Sequence, residues 1–212
     1  MTPSHLDHIT VTAPTLAEGA AWVEGVLGVT PQPGGEHPRM GTHNLLMRLS
    51  PNTFLEIIAI NPAAPAPGRP RWFDLDRLAP HTPPALSTWV VRCEDIHARA
   101  AAAPEPLGLI EPMSRGALQW FITIPPDGRV PLGGVAPALI TWQTEGHPAA
   151  RMPELGLSLL AWEIHHPEPA RVQALLKALA LQTPVSVHAA PAGTPPHLRA
   201  HLQTPFGPRV LG

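Results

Sequence analysis

The sequence predicts an α+β fold in which similar strand–helix–strand units build a curved sheet around a small-molecule cleft. Three observations carry that expectation: an alternating, β-prone run that opens a unit, an amphipathic helix directly after it, and the return of this pattern along the chain. In the first unit Leu6–Val11 alternates as a strand does. Thr15 and Glu18 then form a capping box, and Leu16, Ala20, Val23 and Leu27 share one helical face. Gly28 stands just past the last of these, where a left-handed cap is wanted. His43–Leu49, a Ser50-Pro51-Asn52 turn and Phe54–Ile60 read as a hairpin whose apolar second strand is central. There is room for a short extra strand between Thr30 and Arg39.

The second unit repeats the start of the first. Leu86–Arg92 is a strand, Asp95 stands where Thr15 did, and Ile96, Ala100, Ala103 and Leu107 restore the helical face. Gly108 matches Gly28, and Leu118–Ile124 and Ala138–Gln143 supply two more strands. The third unit opens with the strand Leu157–Ile164. Pro169 suits a first helical turn, and Val172, Leu175 and Leu179 match Ala20, Val23 and Leu27. Val185–His188, Leu198–Gln203 and Arg209–Leu211 close the chain as short strands. The expected organisation is therefore a first unit over 1–60, a Pro-rich linker over 61–84, a second and degenerate βαββ unit over 85–143, and a third unit over 155–212 packed in the same domain. The 30 prolines cluster between elements, which marks rigid loops and not disorder.

Composition excludes several classes of function. The formal net charge is −2 and the 14 basic residues form no run, so nucleic acid and anionic membranes are not expected partners. No apolar stretch reaches the roughly 20 residues that a bilayer span needs, and the N-terminus lacks the profile of a signal peptide. A single cysteine, Cys93, forbids an internal disulfide and fits a reducing, cytoplasmic setting. Gly133-Gly134 lacks the Lys-Ser/Thr of a phosphate loop, so no nucleotide cofactor is expected, and there is no Gly-x-Ser-x-Gly elbow.

Strand alternation sorts side chains into two faces. The helix of the first unit must cover an apolar layer, which assigns Ile9, Val11, Leu55 and Ile57 to its side. His8 and Glu56 then share the opposite, concave side, with Asn44 and Arg48 beside them. Burying a lone histidine or glutamate among apolar strands is costly, so the pair needs a partner or a task. They make a hydrogen-bonded pair or ligate a metal, and without a cation Glu56 is a candidate general base. Arg48 is either a candidate for a substrate carboxylate or an edge-strand arginine that faces water. Trp89, Trp120, Trp142 and Trp162 lie in expected strands and either wall an aromatic pocket or pack the core.

The run Leu6-Asp7-His8-Ile9-Thr10-Val11, the capped helix ending in Leu27-Gly28, then Gly41-Thr42-His43-Asn44 and Phe54-Leu55-Glu56-Ile57-Ile58, resembles the glyoxalase-like branch of the vicinal oxygen chelate superfamily. The resemblance implies paired βαβββ modules forming a mixed, mostly antiparallel sheet curved into a cup, with helices on the outer face. It also implies a divalent metal such as Zn²⁺, Fe²⁺, Mn²⁺ or Ni²⁺ held by His8 and Glu56 together with the matching residues of a second module. Those matching residues depart from the pattern. His8 maps to Thr88 in the second unit and to about Leu160 in the third. Glu56 maps to about Ile140 or Thr141, and to Pro208 or Arg209. None is a good transition-metal ligand, which leaves His43, His165 or His166 to complete a site. The expected site is therefore His8 and Glu56 as metal ligands and catalytic groups, with Asn44, Arg48, Thr88 and Trp142 against a small-molecule ligand. Two functions stay open: a metal-dependent lyase, isomerase or dioxygenase acting on vicinal oxygens, or a binding protein that sequesters an apolar ligand in the same cup, as resistance proteins of the superfamily do. Relatives often dimerise to complete the cup, so a homodimer is one expectation. Completion within the chain, from two of its units, is the other.

Overall fold

A computed structural model describes residues 2–212. The first unit comprises β1 (His5–Thr12), α1 (Leu16–Leu27), β2 (Gln32–His37), β3 (Thr42–Ser50) and β4 (Thr53–Ile60). The second comprises β5 (Ala85–Arg92), α2 (Ile96–Ala102), β6 (Leu109–Arg115), β7 (Leu118–Ile124) and β8 (Ala138–Trp142). The last comprises β9 (Ser158–His166), α3 (Pro169–Ala178), β10 (Ser186–Ala189), β11 (His197–Thr204) and β12 (Gly207–Leu211). β6 is absent from the sequence reading, because Pro112 and the surrounding prolines mimic a loop. With it the second unit has the same element order as the first. No helix among the described residues is long and apolar enough to cross a membrane.

The local signals act as their chemistry requires. Thr15 Oγ1 accepts from the Glu18 amide at 3.1 Å and its hydroxyl donates to the Glu18 carboxylate at 2.7 Å. Gly28 ends α1 at φ 72°, and a side chain there would also run into the ring of Phe206, 2.7 Å from a Cβ.

The first two units merge into one eight-stranded sheet, ordered β2-β3-β4-β1-β5-β8-β7-β6. At its centre β1 pairs antiparallel with β5: His8 faces Val90, Ile9 faces Trp89 and Thr10 faces Thr88. This register is symmetric about Ile9 and Trp89, so a local twofold relates the units and makes Thr88 the counterpart of His8. Each unit pairs its first and last strands in parallel, β1 with β4 and β5 with β8, and its other strands antiparallel. The sheet is mixed and curled, and the cup is completed within one chain.

The third unit makes a separate four-stranded sheet, ordered β10-β9-β11-β12. Its strand order differs from that of the other two, so the likeness read from sequence lies in element order and not in topology. Trp162, Ile164, Leu198, Ala200 and Leu202 point inward from it and join the main core formed by Ile9, Val11, Leu55, Ile57, Trp89 and Val91 of the large sheet with Val23 and Leu27 of α1. Trp89 and Trp162 meet with ring centroids 5.7 Å apart. The convex side of the cup is thus covered by three short helices and by this second sheet.

The concave side carries its own apolar layer, built from Ile58, Val90, Trp120, Ile122, Ala138 and Ile140. Residues 61–84 lie over it, and Trp72, Phe73 and Leu75 are buried there. The segment read as a linker is therefore also a strap across the cup. Phe73 and Asp74 hold φ near +60°, a conformation costly for residues other than glycine. Neighbouring contacts fix it: the Asp74 amide donates to Gly128 O at 2.9 Å, and the Asp74 carboxylate accepts from the Val130 amide at 3.0 Å. Gly128 has φ 72°, and a Cβ there would lie 2.0 Å from the Arg71 carbonyl oxygen. Gly128→Ala is expected to cost about 2 kcal/mol or more and to loosen the strap, read as a lower urea midpoint with earlier proteolysis between residues 61 and 84.

Candidate functional site

Beneath the strap lies a cavity of about 390 Å³, mouth included, lined by His8, His37, Asn44, Phe54, Glu56, Trp72, Phe73, Arg115, Trp120, Ile122, Ile140 and Trp142. β1 presents His8 and β4 presents Glu56 to this space. Both side chains are buried, and His8 Nε2 stands 3.6 Å from Glu56 Oε2. Each is held from its far side. Asn44 Nδ2 donates to Glu56 Oε1 at 2.5 Å, and Thr10 Oγ1 donates to Oε2 at 3.4 Å. Arg115 Nη1 donates to Asn44 Oδ1 at 3.0 Å, which fixes the orientation of the amide. Phe54 stacks on the His8 ring at 4.4 Å.

Asp7 supports His8 from behind. It is fully buried, and its carboxylate accepts from His8 Nδ1 at 2.7 Å, Trp142 Nε1 at 2.9 Å, His147 Nε2 at 3.0 Å and Arg92 Nη1 at 3.4 Å. His147 Nδ1 accepts from the Ala149 amide at 3.2 Å, which leaves Nε2 to donate to Asp7. Burial pushes the Asp7 carboxyl up, but the hydrogen bonds from His147 and His8 outweigh it and hold the group well below the usual carboxylate range. With Nδ1–H donated to Asp7, His8 turns Nε2 toward Glu56 and the cavity.

Sequence alternation predicts that Asp7 and His8 face opposite ways. A bulge between Leu6 and His8 in the β1–β5 ladder overrides it. Leu6 and Ile9 both reach the main core, and Asp7 and His8 are free to meet. Asp7, His37, Arg115 and His147 were missed for related reasons. Asp7 sits in the bulge, Arg115 lies on the hidden strand β6, and His147 lies in a loop before a single helical turn over Pro148–Arg151. His37 ends β2, a Gly-Gly-containing strand with no alternating signal.

The other expected residues divide. Asn44 and Trp142 line the cavity with His8 and Glu56. Arg48 does not: it donates to Met152 O at 3.1 Å and pairs with Glu154 at 3.2 Å, and Arg115 supplies the cation of the cup. Thr88 is buried, with an unpartnered hydroxyl among the described residues, and lines a second, apolar cavity on the other side of Trp72 and Phe73. Trp120 wall the cup alongside Trp142, whereas Trp89 and Trp162 pack the main core.

In the cup His8 and Glu56 stand together, but the second unit supplies no matching pair of ligands. In the second unit Val90 pairs with Ala138 as Thr10 pairs with Glu56, so the counterpart of Glu56 is Ala138 and not Ile140 or Thr141. Thr88 and Ala138 thus occupy the places where the second pair of ligands would stand. His43 lies outside the cavity, and His166 Nδ1 accepts from the Glu168 amide at 2.9 Å at the start of α3. His165 lies on the far sheet. Among the described residues, the metal-type group of three ligand atoms is Glu163, His165 and His188 on that sheet.

The glyoxalase-like domain family model matches residues 6–180. The chain belongs to that family. No curated protein matches this glyoxalase-like chain. Among solved structures it is similar to a hypothetical protein from Staphylococcus aureus, with a TM-score of 0.62 at 10% identity over 90% of this chain and 87% of the other. Methylmalonyl-CoA epimerases are also similar. One from Streptomyces coelicolor in complex with 2-nitronate-propionyl-CoA gives a TM-score of 0.44 at 13% identity, over 68% of this chain and 100% of that one. One from Mycobacterium tuberculosis gives 0.40 at 15%, over 65% and 85%.

Two predictions follow from the geometry of the glyoxalase-like cup. Asp7→Ala leaves the ring N–H groups of His8 and His147 and the indole of Trp142 without an acceptor. It is expected to cost about 3–5 kcal/mol, measured by urea unfolding. His37 is buried against Trp72 and Trp120, with Nδ1 3.1 Å from Thr42 Oγ1. Burial lowers its pKa from 6.5 to about 4. Between those values the unfolded chain takes up a proton that the folded chain refuses. Stability is therefore whole above pH 6.5 and falls by about 3 kcal/mol as pH drops to 4, where this contribution levels off. In His37→Gln the same titration of unfolding free energy is expected to be flatter by that amount.

Proposed function

We propose that this protein is an acid–base enzyme that moves a proton on a small organic acid carrying adjacent oxygens, using Glu56 and the Asp7–His8 pair and no metal in the cup. The observation that carries the reading is the meeting of Glu56 and His8 at 3.6 Å in an aromatic cavity, each oriented from behind by groups of its own. Glu56 takes a proton from the carbon beside a carbonyl or carboxyl group. The electron pair left behind moves onto the neighbouring oxygen as an enolate. Arg115 donates only to Asn44 among the described residues, so its other N–H groups are available to the substrate carboxylate or the enolate oxygen. The proton then returns to carbon, from Glu56 directly or from His8 Nε2 after Glu56 has passed it across their 3.6 Å contact. Return at a different position or face is isomerisation. Loss of a leaving group from the enolate is elimination, a lyase reaction. Phe54, Trp72, Phe73, Trp120 and Trp142 exclude water, which strengthens each of these electrostatic contacts.

Two ligands, His8 and Glu56, fall short of the three that a catalytic zinc commonly keeps. The carboxylate is moreover already engaged by Asn44 and Thr10. That donor set favours proton transfer over metal-assisted chemistry. The aromatic walls also suit a protein that binds such an acid without turning it over.

The test is carbon-bound hydrogen exchange. Small 2-oxo and 2-hydroxy acids are incubated with the untagged protein in D₂O, and the loss of the C–H signal is followed by NMR. Exchange is expected with one class of acid, unaffected by chelator, and slowed about 10²–10⁴-fold in Glu56→Gln and His8→Ala. Quenching of tryptophan fluorescence without exchange would make the cup a binding site. Exchange abolished by chelation and restored by a divalent ion would overturn the metal-free reading.

A further inference from the structure

The outward face of the second sheet gathers a group of side chains that the cup does not use. Trp162 and Ile164 of β9 point into the core, so Glu163 and His165 point out. The strand register places His188 of β10 opposite His165 on one side and His197 of β11 opposite it on the other. Three imidazoles therefore stand in a row across three strands. His165 stacks on His188 with centroids 4.9 Å apart and on His197 at 4.5 Å, tilted by 24° and 5°. Two residues along β9, Glu163 lies between two more ring nitrogens: His165 Nε2 is 3.2 Å from Oε2, and His201 Nε2 is 2.9 Å from Oε1. His201 Nε2 is buried, with no hydrogen-bond partner among the described residues. One ligand atom from each of Glu163, His165 and His188 lies within 4.8 Å of the other two.

We propose that Glu163, His165 and His188 form a binding site for a divalent transition ion of the zinc type, separate from the cup. Two imidazoles and a carboxylate with a fourth position open to solvent is a donor set that zinc accepts. Bonds of about 2.1 Å in a tetrahedron put the donors roughly 3.4 Å apart. The gap from 4.8 Å closes by rotation about side-chain bonds, since Glu163 and His165 are half-buried and His188 is exposed. Neighbouring β positions repeat at about 5 Å, so the pleat itself brings the donors within reach of one ion. His201 Nε2 stands 2.9 Å from the second oxygen of Glu163, and His197 backs the ring of His165. β10 is an edge strand of only four residues, and an ion shared between His188 and β9 would tie it to the sheet.

The test uses the full untagged chain and Zn²⁺ alone, by equilibrium dialysis, with Co²⁺ absorption as a readout of tetrahedral nitrogen and oxygen ligation. One equivalent is expected in the wild type and equally in the His8→Ala/Glu56→Gln double variant. Affinity is expected to fall at least tenfold in His188→Ala, whose exposed side chain leaves the core intact. Glu163→Gln is expected to behave alike, and Zn²⁺ should raise the melting temperature of the wild type but not of either variant. No binding by the wild type, unchanged affinity in His188→Ala and Glu163→Gln, or loss of the ion in the cup variant would each overturn the proposal.

Discussion

The antiparallel pairing of β1 with β5 is the constraint on which the cup depends. It joins two βαβββ units edge to edge, so that one chain makes a continuous eight-stranded sheet with no exposed edge at its middle. The same ladder contains the bulge at Asp7. One extra residue on β1 keeps Leu6 and Ile9 both in the core while Asp7 reaches the ring of His8. A regular ladder would send Asp7 toward the apolar side, where a carboxylate has no partner. Fold and site are thus set by one local irregularity in one strand pair.

Burying this much polar chemistry requires that nearly every group be paired. Asp7 accepts four donors, Glu56 accepts two, and Asn44 passes a contact from Arg115 to Glu56. The network draws on β1, β3, β4, β5, β6, β8 and the loop bearing His147, so it locks both halves of the cup at their junction. Satisfied networks of this kind specify a single arrangement of the surrounding strands. The side of the cup where the second unit would mirror them is apolar, with Thr88 and Ala138 at the symmetry-related positions. A site that was symmetric by fold is asymmetric by chemistry, and it faces an aromatic wall instead of a second pair of ligands.

Legibility in the sequence followed periodicity. α1, the β3–β4 hairpin and the opening strands β1 and β5 were visible because alternation and helical spacing ran undisturbed, and the placement of His8, Asn44 and Glu56 on one face followed from them. Those three residues do meet in the cup. Asp7 was hidden because a bulge breaks the period-two pattern from which faces are inferred. Arg115 was hidden because Pro112 makes an edge strand look like a loop. Arg48 shares the face of Asn44, yet it lies opposite Phe54 at the far end of β3 and turns to Glu154. A face is readable from alternation, but distance along the strand decides whether a residue reaches the cavity. The segment over 61–84 reads as a linker because its prolines interrupt every period; its burial rests on Trp72 and Phe73, whose neighbours Arg71 and Asp74 meet the loop around Gly128.

The third unit repeats the order of elements but not the strand order, and that difference explains its place. Had β9 and β12 paired in parallel, as β1 and β4 do, the unit would offer another half-cup. Instead β9 sits between β10 and β11, and its inner residues serve as the layer that backs the main sheet. Trp162 meets Trp89 directly behind the β1–β5 junction, so this small sheet stiffens the strand pair that carries Asp7 and His8. Its inner face is committed to packing, and its outer face is left to polar side chains. The histidines collect there because alternate residues of β9, β10 and β11 face outward, and His165, His188, His197 and His201 stand at those positions.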